Sequence, residues 1–226
     1  MGVAKLLKHE SSRKDAYRGL ADCYYLPDEK LSFKLKKIVS RFETLSSKAL
    51  PHIIAMRNEL EGPNSISRLA IDYARLFVGP YSLLAPPYGS VYLEGKREIM
   101  GESTMDITKR YADAGLTFVE KGKEVPDHIR VELEFMSFLI FKEIEAIRTE
   151  SSEEIMDMVQ RQAAFMQDHL SLWVPDLTQN IEAAAEEDFY RHLALATRIF
   201  IEEDFNEMTR WMIADPDPAA FRLYAS

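Results

Sequence analysis

Apolar side chains return every three or four residues along almost the whole chain, a period that an α-helix satisfies and a strand does not. Between residues 29 and 46, Leu31, Leu35, Ile38, Val39, Phe42 and Leu45 form one such stripe with lysines between them. Residues 64 to 78 carry a second, made of Ile66, Leu69, Ala70, Tyr73, Ala74 and Phe77, with Asn64 or Ser65 placed to cap it and Gly79-Pro80 to stop it. No strand-like alternation of useful length occurs. The pattern predicts an all-α chain, a helical bundle of about nine or ten helices folded as a single domain over residues 1–226, with a loose tail from about 210.

Glycine and proline punctuate this pattern. Residues 79 to 101 hold Gly79, Pro80, Pro86, Pro87, Gly89, Gly95 and Gly101, which excludes a helix through most of the segment. The same segment keeps Tyr81, Leu83, Leu84, Tyr88, Val91 and Tyr92, so it reads as a loop packed onto the body. A short helix is expected over about 103 to 114, capped by Ser103 and stopped by Gly115. Pro126 and Asp127 then open a helix whose residues from Phe135 to Phe141 are apolar on nearly all sides, the expected central helix. The next helix spans about 152 to 172, with Ser151 and Glu154 as a capping box and Pro175 as its end. Helices over about 176 to 185 and 188 to 207 complete the series.

Charge and cysteine count narrow the function classes. With 28 basic and 37 acidic residues the chain carries a net charge of −9, which disfavours nucleic acid as a partner. A single cysteine, Cys23, excludes an intrachain disulfide and thiolate metal sites, and its apolar surroundings predict a buried, inert thiol. The first fifteen residues are too charged for a secretory signal, and Leu6 stands where N-myristoylation wants Ser or Thr. No apolar run is long enough for a transmembrane helix, so no stable membrane insertion is expected. The five histidines show no paired Glu-x-x-His spacing, and there is neither a phosphate-binding glycine motif nor a nucleophile elbow. No catalytic constellation, metal-ligand set or cofactor site announces itself, which from the residues alone leaves an enzyme open.

Two clusters remain. Glu124, Asp127, His128, Glu132 and Glu134 gather at a helix start, where Asp127 serves as a cap and the glutamates as solvated groups or partners of Arg130. Tyr73, Leu76 and Phe77 sit at core spacing. From the residues alone both clusters are also open to a binding role.

Four segments in order resemble one family. Tyr73-Ala74-Arg75-Leu76-Phe77 is similar to the aromatic-x-x-Leu-Phe motif of the TorD/DmsD/NarJ group of redox-enzyme maturation chaperones. Ala85 to Tyr92 resembles that group's Pro-Pro-aromatic loop, and Gly101-Glu102-Ser103-Thr104 its Gly-Glu-Ser/Thr helix start. Glu124-Val125-Pro126-Asp127-His128 resembles its Glu-Pro-x-Asp-His signature, with Val125 where proline is usual and Pro126 at the variable position. Tyr73 and Tyr88 stand where the family often has tryptophan. His169 to Trp173 and Phe189-Tyr190-Arg191 echo weaker features, so the likeness runs over roughly residues 64 to 200.

The resemblance implies a cytoplasmic chaperone that binds the twin-arginine signal peptide of an apo-molybdoenzyme of the dimethyl sulfoxide reductase family until its cofactor is inserted. It assigns the peptide site to Tyr73, Leu76, Phe77, Pro87, Tyr88, Gly101, Glu124, Asp127 and His128. An apolar groove of Tyr73, Leu76, Phe77, Pro87 and Tyr88 would take the apolar stretch of the leader, and Asp127 with an acidic rim its arginines. His128 would tune that site with pH. Within the same family the alternative is a NarJ-like assembly factor for a molybdoenzyme subunit that does not proofread a signal peptide. A GTP-binding or GTP-hydrolysing helical protein is a further alternative without a phosphate loop to support it. The family includes monomers and domain-swapped dimers, so a homodimer, domain-swapped included, stays open.

Overall fold

The computed structural model describes residues 2–79, 83–95, 101–117 and 125–214, the last four of these by backbone only. Glu124, Tyr81 and the tail prolines Pro216 and Pro218 lie outside the described residues. Ten α-helices occur among those described, in the order α1 (Val3–Cys23), α2 (Leu31–Leu45), α3 (Leu50–Glu59), α4 (Ser65–Tyr73), α5 (Gly89–Leu93), α6 (Glu102–Asp113), α7 (Ile129–Arg148), α8 (Ser152–Phe165), α9 (Ser171–Ala184) and α10 (Asp188–Ala214). The only strand-like pairing among them is one isolated antiparallel bridge, Tyr88 with His128.

The helical stripes meet as their spacing predicts. α7 lies along α1 on one side and α8 on the other, while α10 lies along α9 and α3, and α2 joins α1 to α3. Leu35, Phe42, Ile53, Met56, Leu133, Met136, Leu139, Ile140, Phe165, Trp173, Phe189 and Leu193 are fully buried in one continuous core. Gly19 is required where α1 crosses α2, because a Cβ there would stand 2.2 Å from Ile38 Cγ2. Cys23 is buried as expected, and desolvation pushes its thiol pKa up, which keeps it protonated.

A buried ionic knot ties four helices together. Arg13 of α1 reaches Asp204 of α10 through Nε at 2.7 Å and through Nη2 at 3.0 Å, and Gln162 of α8 at 3.1 Å. Glu10 of α1 accepts from the same guanidinium, and Gln162 donates to Glu143 of α7 at 2.7 Å. Burial, with Glu10 adding to it, pushes the Glu143 carboxyl up to about 8. A second tie is made by Asp72 of α4, buried, which accepts from the backbone N–H of Glu186 and Glu187 at 3.0 and 2.9 Å and so satisfies donors ahead of α10.

Several local expectations are corrected. Pro175 does not end a helix; it sits inside α9, whose Trp173, Val174, Leu177 and Ile181 are fully buried and hold the helix through the missing N–H. A π-turn, Met166–Leu170, joins α8 to α9 without a break. Ser151 occupies the N-cap of α8 but makes no side-chain capping bond, so no capping box forms. Ser103 is not a cap either: α6 begins after Gly101, and Ser103 donates from N–H and Oγ to Glu94 at 3.0 and 2.7 Å. Asp127 is not the cap of α7. That place is held by His128, whose Nδ1 accepts from the N–H of Arg130 at 3.1 Å.

Candidate functional site

The proline-rich loop and the start of α7 are stitched together by backbone. Ile129 N–H donates to Pro87 O at 2.9 Å and Gly89 N–H to Asp127 O at 2.9 Å, with Tyr88 and His128 paired between them. Their rings meet edge to face, centroids 5.3 Å apart. A proline at 87 supplies an acceptor without needing a donor partner of its own, which suits the end of such a clip. Behind it the Asp127 carboxylate accepts from Ser90 N–H at 2.8 Å through Oδ2.

Asp127 and Glu132 are both completely buried, and each keeps one oxygen, Oδ1 and Oε1, without a hydrogen-bond partner among the described residues. Ser90 Oγ and Thr104 Oγ1 are unpartnered in the same way. Glu132, expected to be solvated or paired with Arg130, instead lies inward and accepts from Trp173 Nε1 at 3.2 Å. Desolvation, with the nearby Asp127 charge adding to it, raises its pKa well above the usual carboxyl range. Tyr92 stacks on Trp173 at 5.7 Å, and Tyr111 donates to Pro126 O at 2.9 Å. A Cβ on Gly89 would meet Glu132 Oε1 and the Trp173 ring at 3.2 Å, so only glycine lets the loop lie this close. Gly101 is overlain by the Glu94 carboxylate, the group that also holds Ser103.

The structure therefore brings together Pro87, Tyr88, Asp127 and His128, but as a closed joint rather than an acidic mouth. Asp127 is 0% exposed and His128 5%. Burial, with the neighbouring Arg130 charge adding to it, lowers the His128 pKa to about 3, so the ring is neutral across the physiological range and does not titrate as its ordinary value predicts. Leu76 and Phe77 are buried in the core, and Tyr73 is half-buried against Phe77. Leu76 and Phe77 both lie in the π-turn Ala74–Val78 that follows α4. Ile71 and Val78 are left outward at 68% and 60% exposure, joined by Leu84 at the foot of the loop, where Ala85 N–H bonds Leu76 O. Sequence spacing singled out Leu76 and Phe77 and passed over Ile71, Val78 and Leu84. It also passed over Trp173 as a partner of the acid cluster, because a tryptophan on a core stripe signals only packing.

Among the described residues no group of His, Cys, Asp and Glu is disposed to hold a metal ion, and no helix is long and apolar enough to cross a membrane.

The sequence matches the family profile described as nitrate reductase delta subunit over residues 40–179. Among curated proteins it is similar to the chaperone protein TorD of Photobacterium profundum, 31% identical over 122 residues that make up 54% of this chain and 55% of that protein. The chaperone protein TorD of Vibrio parahaemolyticus is 27% identical over 69% of this chain and 72% of its own length. The Tat proofreading chaperone DmsD of Salmonella typhi is 26% identical over 70% and 69%. Among solved structures, a putative redox enzyme maturation protein from Archaeoglobus fulgidus shares the fold with a TM-score of 0.52 at 24% identity, covering 84% of this chain and 93% of that one.

Proposed function

Because the chain belongs to the nitrate reductase delta subunit family, which matches it over residues 40–179, we propose that it is a cytoplasmic maturation chaperone, without enzymatic activity, for an apo-molybdoenzyme that it holds by a twin-arginine leader. The relatives named TorD and Tat proofreading chaperone DmsD support this reading. The observation that carries it is the pair of wholly buried carboxyl groups, Asp127 and Glu132, each with an oxygen left unpartnered directly behind the Tyr88 clip. A buried carboxylate with spare acceptor capacity is what a guanidinium satisfies by charge-assisted bonds. Arginine reaches it when the loop from Leu83 to Gly95 lifts and the backbone bonds at Pro87 and Gly89 part. The apolar stretch of the leader rests on Ile71, Val78 and Leu84, which are exposed, in place of the buried Leu76 and Phe77.

The test is calorimetric titration with a synthetic leader peptide and with the same peptide carrying glutamine for both arginines. The paired arginines should strengthen binding at least tenfold, and Asp127→Asn should erase that difference while leaving the apolar component. Val78→Asp should weaken both peptides equally. Equal affinity of the two peptides for the wild type would refute the arginine contact. It would favour the second reading, an assembly factor for a molybdoenzyme subunit that does not proofread a signal peptide.

A further inference from the structure

Against a chain charge of −9, residues 30 to 42 hold five cations, Lys30, Lys34, Lys36, Lys37 and Arg41, and no acid. All but Lys36 line a cleft of about 730 Å³ between α1 and α2, whose walls carry Arg18, Lys30, Lys34, Lys37 and Arg41 against only Asp15 and Asp22. Both acids are already answered: Asp22 by Lys34 at 3.0 Å, Asp15 by Arg41 at 3.0 Å and Lys14 at 3.1 Å. Lys30 and Lys37 have no carboxylate partner among the described residues, and both are exposed. Lys37 instead lies over the Phe33 ring, 4.1 Å from its centroid. Phe33 is 61% exposed, and Leu26 beyond the end of α1 is 60% exposed. The floor is Gly19 against Ile38.

We propose that this cleft is the docking site for an acidic amphipathic peptide segment of a partner protein. The occupant follows from the chemistry on the walls. Unanswered lysines select carboxylates, and an exposed phenylalanine between them selects an apolar side chain at helical spacing from those carboxylates. The concavity selects a peptide over a lipid surface, since a flat bilayer cannot reach the floor between two helices. A twin-arginine leader carries the wrong charge for this cleft, so the site is separate from the Asp127 joint and stands whether or not that joint binds arginine.

The experiment is fluorescence anisotropy on the whole protein with three probes: a labelled 18-residue helix of Glu and Leu at 3.6-residue spacing, its Lys/Leu counterpart, and phosphatidylglycerol vesicles. The Glu/Leu peptide should bind, and added salt should weaken it as it screens the exposed lysines. K30E/K37E should lower its affinity at least tenfold and F33S several-fold. Both variants alter exposed side chains, so circular dichroism should show intact helices, and K109E, a charge reversal on α6, should change nothing. Equal binding of the Glu/Leu and Lys/Leu peptides, indifference to K30E/K37E, or binding to vesicles alone would each overturn the proposal.

Discussion

Replacing Glu132 by glutamine tests whether the buried acid is held protonated. Glu132 is completely inside the fold, its one bond comes from Trp173 Nε1, and burial raises its pKa well above the ordinary carboxyl value of 4.5. Above pH 4.5 the folded state then keeps a proton that the unfolded chain has released, so stability falls as pH rises, by about 1.4 kcal/mol per unit. Glutamine has the same shape and still accepts from the indole, but it has no proton to retain. E132Q should therefore match the wild type at pH 4.5 and gain on it as pH rises, by about 1.4 kcal/mol, or roughly 3–6 °C in Tm for a chain of this size, per pH unit over which the proton is kept. Urea unfolding of both proteins at several pH values from 4.5 to 7.5 reads it, and the difference between them cancels every distant titration they share. A difference that stays flat across this range would show that Glu132 is ionised in the fold and that the burial argument fails.

Other perturbations follow from the same geometry. Gly89→Ala should destabilise by about 1–3 kcal/mol, since its methyl meets the Trp173 indole at 3.2 Å and the indole is locked under Tyr92; unchanged Tm would refute the close approach. Arg13→Leu should cost about 3–5 kcal/mol in chemical denaturation, because Glu10 and Asp204 are left buried beside an apolar group. His128, lowered to about 3 from 6.5, lets the unfolded chain bind the extra proton first, so stability is lost as pH falls from 6.5 toward 3. By pH 5 this amounts to about 2 kcal/mol, and H128N, which retains an N-cap acceptor, should remove that part of the acid sensitivity in pH-dependent unfolding.

The helices were legible because their signal is local. The stripe from Leu31 to Leu45 and the one beginning at Ile66 are read from side chains four residues apart, and α2 and α4 form where these fall. What the sequence hid depends on contacts between distant residues. Pro175 reads as a stop, yet α9 continues through it because four apolar side chains of that helix are fully buried against the rest of the bundle. Asp127 reads as a cap because helix starts commonly carry one. Its carboxylate is instead drawn to Ser90, 37 residues away, once Pro87 and Gly89 have bonded the strand-like stretch beside it. Leu76 and Phe77 read correctly as core, while the π-turn that carries them, Ala74–Val78, is a feature that no 3.6-period reading contains.

The clip at Tyr88 sets how binding and opening must be linked if arginine is to reach Asp127. Closed, the joint satisfies Asp127 Oδ2 with Ser90 N–H and leaves Oδ1 and Glu132 Oε1 unsatisfied, so the closed state already bears a desolvation penalty. Opening parts two backbone bonds at about 1 kcal/mol each and separates the edge-to-face Tyr88 and His128 rings, while returning two carboxyl groups toward water. These opposing terms are of similar size, so the joint needs no large driving force to open, and a guanidinium that bridges both acids binds only the open state. Apparent affinity for such a ligand scales with the open fraction. A variant that destabilises the clip without touching the acids, such as Tyr88→Ala, should thus tighten arginine-dependent binding as measured by peptide titration. If Tyr88→Ala weakens it instead, the ring contacts the peptide directly and opening is not the limiting step.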